Sequence, residues 1–380
     1  KRNGSILFPF TIMYRQYVMI KIKIMNSRIV GTGRYLPEKI LTNAELETMV
    51  DTTSEWILSR TGIERRHIAA DHESTSTMAT EAARKAMEAA GVGPEEIDFV
   101  IVGTTTPDRI FPNVGCLVAH ALGFGEAPAM SVEAACSSFI YALSIADKYI
   151  RCGEAKCALV IGAETLSRIV DWEDRQTCVL FGDGAGAVIL KPSEEEGVIS
   201  THLNANGAYK DLLYSTGGVS CPRDSDELGE ARIKMRGNEV FKVAVTKLGE
   251  IVQQTLAANN LDKSDIDWLI PHQANNRIIT ATAKKLGMPM ERVILTVQDH
   301  GNTSAASVPL ALDVAVRSGK LKRGEQPLDG LRRELAEELG IELGAARPLI
   351  RLHHDYTDRR VLLDVWRVTE YRGEPRGLDG

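Results

Sequence analysis

The sequence predicts an α/β protein of layered sheets and helices, built from two similar halves, and three observations lead there. Amphipathic helical stretches alternate with short, continuously apolar runs. An Ile-Asp pair, Ile97-Asp98 and Ile266-Asp267, recurs in one context: EAARKAMEAAGVGPEEID leads into FVIVGTTTPD, and VQQTLAANNLDKSDID leads into WLIPHQANN. About 35 to 40 residues beyond each Asp, a polar turn of small residues opens a second apolar helix, AACSSFIYALSIA in one case and HGNTSAASVPLALDVA in the other. Such repetition implies two βαβ-rich halves, each with a buried sheet flanked by helices. A pseudo-twofold arrangement of the halves sets Cys136 opposite the turns that carry His272 and Asn302.

The remaining elements agree. LVIGAET and AGAVIL read as short buried strands, and VGCLVAHALG and FKVAVTKLGEIVQQTLAA as helices. FGDGAGAVIL alternates Gly182, Gly184 and Gly186, but it lacks the third spacing of a dinucleotide fingerprint and precedes a strand instead of a helix. It reads as a tight turn.

With 380 residues the chain is long for one core, which suggests two domains, or one duplicated domain and an appendage. Its net charge of -6 argues against a nucleic-acid surface. Cys116, Cys136, Cys152, Cys157, Cys178 and Cys221 form no C-x-x-C pair and have no His at zinc-ligand spacing, which points to a reduced, cytoplasmic setting without structural metal. Residues 1–24 are basic and apolar, too interrupted to span a bilayer and without a signal-cleavage site. They read as a leader outside the fold, with Met25 as the natural start.

The chemistry centres on Cys136. A run of small residues delivers its thiol to the first turn of an apolar helix, where unpaired N–H groups and a partial positive charge favour thiolate. The plainer reading is a small core residue. Three motifs together favour the nucleophile: AACSS with Cys136, IPHQANNRI with His272 and HGNTSAASVP with Asn302. In this order they resemble β-ketoacyl-acyl-carrier-protein synthase III, a condensing enzyme of thiolase-like fold, layered αβαβα. GTGRYLPEKILTN, DTTSEWILSRTGIERRHIA and FGDGAGAV follow the same family, and the resemblance runs from about Ser27 to about Gly324.

The resemblance implies that an acyl-CoA primer acylates Cys136 and that malonyl-acyl carrier protein then condenses with it by decarboxylation. The His272 Nε2–H and the Asn302 amide would donate to the enolate oxygen. No cofactor is implied, since the coenzyme A thioester is a substrate. The resemblance further assigns Trp56 and Arg60 to the adenine of coenzyme A and Arg175 to another coenzyme contact. It gives Gln273, Ala274, Asn275, Asn276 and Arg277 to the carrier protein, and Phe111 to the acyl pocket of a homodimer partner. No nucleic acid or membrane partner is implied.

After GKLKRGE the resemblance stops, and with it go the final strands and a glycine-rich loop whose backbone N–H would complete the oxyanion hole. The replacement fits the spacing of a Nudix box, so residues 319–380 resemble part of a Nudix hydrolase. Glu334, Glu337 and Glu338 fall on one helix face, where they could hold Mg²⁺ for hydrolysis of a nucleoside-diphosphate-linked compound. The strands that should precede that box are replaced by the helix AASVPLALDVAVRSG. The expected organisation is therefore a leader at 1–24, a half with the nucleophile at 25–195, and a half with His and Asn at 196–324 lacking its last strands. A partial Nudix-like α+β segment occupies 319–380, with a junction of two gene fragments inside GKLKRGE. An inactive hybrid that binds without turnover is the remaining alternative.

Overall fold

A computed structural model describes residues 25–321, 335–336, 339, 341–355 and 360–374. The leader at 1–24 and Glu334, Glu337 and Glu338 lie outside the described residues.

The first half runs β1 (Asn26–Tyr35), β2 (Ile40–Thr42), α1 (Asn43–Leu46), α2 (Ser54–Thr61), β3 (Arg65–His67), α3 (Thr75–Ala90), β4 (Phe99–Gly103), α4 (Val114–Leu122), β5 (Ala129–Val132), α5 (Ser138–Cys152), β6 (Ala158–Glu164) and β7 (Gly184–Ser193). Its sheet has the order β1-β7-β6-β4-β5. β4 is parallel to β5 and β6, while β7 is antiparallel to β6 and β1.

The continuous apolar runs of β4 and β6 follow from burial on both faces. Strand alternation sends Val100, Val102, Leu159 and Ile161 toward Met78, Ala82 and Ala86 of α3 and Val114 and Val118 of α4. Phe99, Ile101 and Val160 face Phe139, Ala142, Ala146 and Ile150 of α5 on the other side. Ser74 caps α3, accepting from Thr77 N at 3.3 Å, and Gly91 ends it in the left-handed region at φ 62°.

The second half comprises β8 (Leu213–Ser215), β9 (Ile233–Met235), α6 (Gly237–Ala258), α7 (Asn276–Leu286), α8 (Val297–His300) and α9 (Ser307–Arg317). Its repeat of the first half is visible residue by residue. The 3₁₀ turn Pro94–Glu96 before β4 has its counterpart in Lys263–Asp265. The turn Ala135–Ser137 before α5 has its counterpart, at the same spacing, in Ser304–Ala306 before α9.

The expected second buried sheet, however, is not formed among the described residues. The counterpart of β4, at Trp268–His272, carries a single parallel bridge, Leu269 to Val293, and residues 196–206 carry no strand. The reason lies in the strand order of the first half, where β6 and β7 are the central pair joining β1 to β4. Their second-half counterparts would fall beyond 324, where the sequence no longer follows the repeat, so the outer segments lack the neighbours that would complete their ladders.

The described residues of the tail do not replace them. β10 (Glu342–Asp355) pairs antiparallel with β11 (Arg360–Arg372) in a sheet of two strands, separate from the five-stranded one. α9 packs against β1 and β7, as the synthase-like reading of AASVPLALDVAVRSG requires. In hydrogen exchange, the amides of 197–206 and 266–272 should therefore exchange ahead of those in β4, β6 and β7. Equal protection in both halves would contradict the open ladder.

Candidate active site

Cys136 sits in the 3₁₀ turn Ala135–Ser137 at the carboxyl end of β5, immediately before α5. Ala135 holds φ at 46°, a conformation L-residues rarely adopt, and Ser304 repeats it at φ 45° in the corresponding turn. The turn is held from below by the Ser138 hydroxyl, which accepts from Ala134 N at 2.8 Å. Two glycines allow the close approach of the turns to the sheet. A Cβ on Gly103 would lie 2.6 Å from the Ser138 carbonyl carbon, and one on Gly162 would lie 2.2 Å from the Ala305 oxygen.

The expectation that the helix terminus makes Cys136 a ready thiolate is corrected. Burial pushes its thiol up to about 11; a hydrogen bond from Ser304 offsets part of the rise, and the Glu164 charge adds to it. Cys136 is a free cysteine with partial access to solvent.

Asn302 and His272 converge on the segment that faces this turn. The Asn302 backbone is clamped by Leu180 O, which accepts its N–H at 2.9 Å, and by Gly182 N, which donates to its carbonyl at 3.1 Å. Its side-chain Oδ1 accepts from Ser304 N at 3.0 Å, which leaves Nδ2 as the free donor end. His272 Nδ1 lies 2.6 Å from the hydroxyl of Ser307, the first residue of α9. Burial pushes the imidazole down to about 4, so it is neutral near pH 7. A hydroxyl donating to Nδ1 puts the ring proton on Nε2. His272 through Ser307 and Asn302 directly are thus tied to residues 302–307, and the turn carrying Cys136 packs against the turn Ser304–Ala306.

The glycine-rich turn belongs to this support. Cβ atoms on Gly182 and Gly186 would meet His300 O at 2.6 Å and Leu310 N at 2.7 Å. Asp183 between them accepts from Ala69 N at 2.7 Å and Ser167 N at 2.9 Å. Gly182 precedes β7 while Gly184 and Gly186 lie within it, so the expected tight turn is largely strand, and these glycines admit protein backbone, in keeping with the reading against a nucleotide loop.

Trp56 and Arg60 share α2, but the cation over the Trp56 ring is Arg175, at 4.9 Å; Arg60 is exposed to solvent. Arg175 also donates to Asp51 O at 2.6 Å. Gln273 is a correction. It is buried, donates to Pro271 O at 2.8 Å and Ile294 O at 3.0 Å, and accepts from Thr296 N at 2.8 Å and Val297 N at 3.1 Å. With both ends engaged it has no capacity for a carrier protein, and it serves instead to hold the strand-end of His272 against the turn leading to α8.

Asn275 caps α7, accepting from Ile278 N at 3.0 Å, and Ala274 and Asn276 are half-buried beside it. Arg277 is exposed, with its guanidinium 5.2 Å over the Phe241 ring. Phe111 is 82% exposed next to an exposed Ile110. Glu164, Ser304, Ser307 and the run Thr104–Thr106 were not singled out by motif. The three consecutive threonines at a strand end were the one available hint.

Two measurements follow. Gly162→Ala should lower the unfolding free energy by about 1–3 kcal/mol, because the new methyl overlaps the Ala305 backbone; an unchanged denaturation midpoint would refute that seat. His272 and His300 are both pushed down to about 4, chiefly by burial. A histidine depressed in the folded state contributes stability above its unfolded value, lost as pH falls toward the folded one. Each should therefore cost about 1.4 kcal/mol per pH unit between roughly 6.5 and 4. Thermal melts between pH 7.5 and 5 should show His272→Gln with a shallower decline than the parent.

The comparisons with known proteins fit this arrangement. The family described as 3-oxoacyl-[acyl-carrier-protein] synthase III matches residues 130–207, and that of its C-terminal region matches 256–328. The chain is 62% identical over 299 residues to the β-ketoacyl-[acyl-carrier-protein] synthase III of Xanthomonas euvesicatoria, covering 79% of this chain and 92% of that one. It is 60% identical to that of Thioalkalivibrio sulfidiphilus over 79% of this chain and 93% of the relative. The crystal structure of the Aquifex aeolicus synthase III superposes with a TM-score of 0.74 at 47% identity, covering 78% of this chain and 93% of that one. The thiolase-like arrangement of the described body, with Cys136, His272 and Asn302 drawn to one segment, and identities of 60% or more over four fifths of the chain lead to one conclusion: the chain belongs to the β-ketoacyl-[acyl-carrier-protein] synthase III family.

Proposed function

We propose that the protein is an acyltransferase that begins fatty acid synthesis, condensing an acyl-CoA primer with malonyl-acyl carrier protein. The Cys136 sulfur attacks the thioester carbonyl of the primer, coenzyme A leaves as its thiol, and the acyl group stays on the enzyme. The malonyl unit then loses carbon dioxide, and its electron pair becomes an enolate that attacks the Cys136 thioester, releasing the cysteine. The enolate oxygen is met by His272 Nε2–H and Asn302 Nδ2–H, and neither group has to give up its proton. A neutral histidine and an amide suit decarboxylation better than proton abstraction. The observation that carries this reading is the polarity of the Asn302 amide, whose Oδ1 accepts from Ser304 N and leaves Nδ2 to donate, beside a His272 ring whose Nδ1 is engaged by the Ser307 hydroxyl.

Arg175 and Trp56 are the coenzyme-binding pair in this reading, with Arg60 a peripheral cation, and Arg277 with Asn276 meets the acidic carrier. Exposed Phe111 would enter the acyl pocket of a second copy, making a homodimer. The two halves at 25–195 and 196–324 form the catalytic body. Its CoA and carrier-protein substrates place it in the cytoplasm, which suits six unpaired cysteines; among the described residues no helix is long and apolar enough to cross a membrane. The Mg²⁺-dependent Nudix reading of residues 319–380 rests on the box spacing alone and is not favoured beside this one.

Incubation with acetyl-CoA should add one acetyl group to the Cys136 peptide, and Cys136→Ala should abolish it. Labelling elsewhere, with Cys136 unmodified in folded protein, would overturn the assignment. His272→Ala and Asn302→Ala should still be acylated yet lose condensation by on the order of 100- to 1000-fold.

A further inference from the structure

Arg66, in the middle of β3, is fully buried, and it pairs with no carboxylate among the described residues. Burial pushes its guanidinium down to about 10, so it keeps its charge near pH 7. A cation is costly to remove from water, and here backbone carbonyls and an amide oxygen meet it in place of a counter-ion. Nη1 donates to Leu41 O at 3.2 Å and to Asn43 Oδ1 at 2.9 Å, and Nη2 donates to Val179 O at 2.8 Å. Asn43 is itself fixed, because its Nδ2 donates to Ile63 O at 2.8 Å. The planar fork thus ties β2 and the start of α1 to the segment 179–182, which a single-point cation or an apolar chain could not do.

That segment is the seat of Asn302. Leu180 O and Gly182 N hold the Asn302 backbone in a parallel bridge, just beyond the carbonyl that Arg66 grips. The Arg66 stem lies against the same bridge: a Cβ on Gly182 would come within 3.0 Å of the Arg66 Cβ, and one on Gly301 within 3.1 Å. Gly301 precedes Asn302 at φ 68° and ψ -163°, a conformation open essentially to glycine, so the chain turns over the arginine with no side chain between them. Residues flanking Arg66 add two backbone links to the same turns, Asp183 N to His67 O at 2.9 Å and Glu64 N to Gln298 O at 2.8 Å. None of these partners belongs to the turn Ala135–Ser137 that carries Cys136. We propose that Arg66 is a positioning residue for Asn302, holding the 179–182 seat from beneath so that the Asn302 amide stays aimed at the enolate oxygen. The proposal rests on the reading of Asn302 as an enolate donor, and it assigns Arg66 to the condensation step and not to acylation of the cysteine.

The test uses two variants of the full chain: Arg66→Lys, which keeps the charge but not the fork, and Asn43→Ala, which removes the amide oxygen that Nη1 meets. Hydrogen exchange followed by mass spectrometry should show the amides of Gly182 and Asn302 exchanging faster in both variants, with 133–140 unchanged. Acetyl transfer from acetyl-CoA to Cys136 should keep the parent rate. With KM unchanged, kcat for condensation with malonyl-acyl carrier protein should fall by about 10- to 100-fold in Arg66→Lys, and by less in Asn43→Ala, as a displaced donor requires. A role confined to stability would lower the melting temperature and cut the two steps in equal proportion; that result, or unchanged exchange at 182 and 302, overturns the proposal. Should Arg66→Lys not fold, Asn43→Ala decides alone by the same readings. Faster exchange in the variants of a parent that shows no condensation would remove the proposed function and leave this inference standing, and condensation by a parent whose variants exchange no faster would do the reverse.

Discussion

The site depends on the contact of one half's turn with the other half's sheet. The turn Ser304–Ala306 lies on β6 so closely that position 162 has no room for a side chain. Through this contact a strand of the first half and a turn of the second become one support. Ser304 reaches Glu164, Asn302 is bridged to Phe181, and Ser307 reaches His272. Moving the turn by one side chain's width would disturb the partners of all three chemistry-bearing residues at once, which is why packing here is inseparable from catalysis.

The same contact explains how the second half presents a site although its described segments form no sheet of their own like that of the first half. The groups that converge on residues 302–307 are held by the first half's sheet, by the turn 180–183 and by Gln273, all within the described body. Among the described residues, 196–206 carries no strand and the counterpart of β4 carries a single bridge. The small-residue turns and the apolar core on both faces of β4 and β6 are untouched.

Electrostatics in the pocket run against the simplest account of a reactive cysteine. A helix terminus stabilises thiolate by a modest amount, whereas removal from water and a nearby buried carboxylate act more strongly the other way. A protected thiol beside a neutral imidazole and an amide is suited to acyl transfer followed by enolate stabilisation, since both donors keep their protons throughout.

How much of this was legible in the sequence varies by residue. Cys136, His272 and Asn302 stood in local strings whose residue types suffice to suggest their chemistry, and the Ile97-Asp98 and Ile266-Asp267 echo exposed the duplication. Gln273 lay in one of those strings and was misplaced, because only the fold shows that both ends of its amide are consumed by Pro271, Ile294, Thr296 and Val297. The resemblance paired Arg60 with Trp56 and gave Arg175 another coenzyme contact, whereas the fold sets Arg175 over the Trp56 ring. Glu164 had no signature, since a carboxylate at a strand end acquires meaning only from donors distant in sequence. Local order determined the elements, the repeat and the candidate cysteine. Tertiary structure decided the protonation of that thiol, the partners of Asn302 and His272 and, among the described residues, the open ladder of the second half, because each depends on burial and on partners that chain order does not encode.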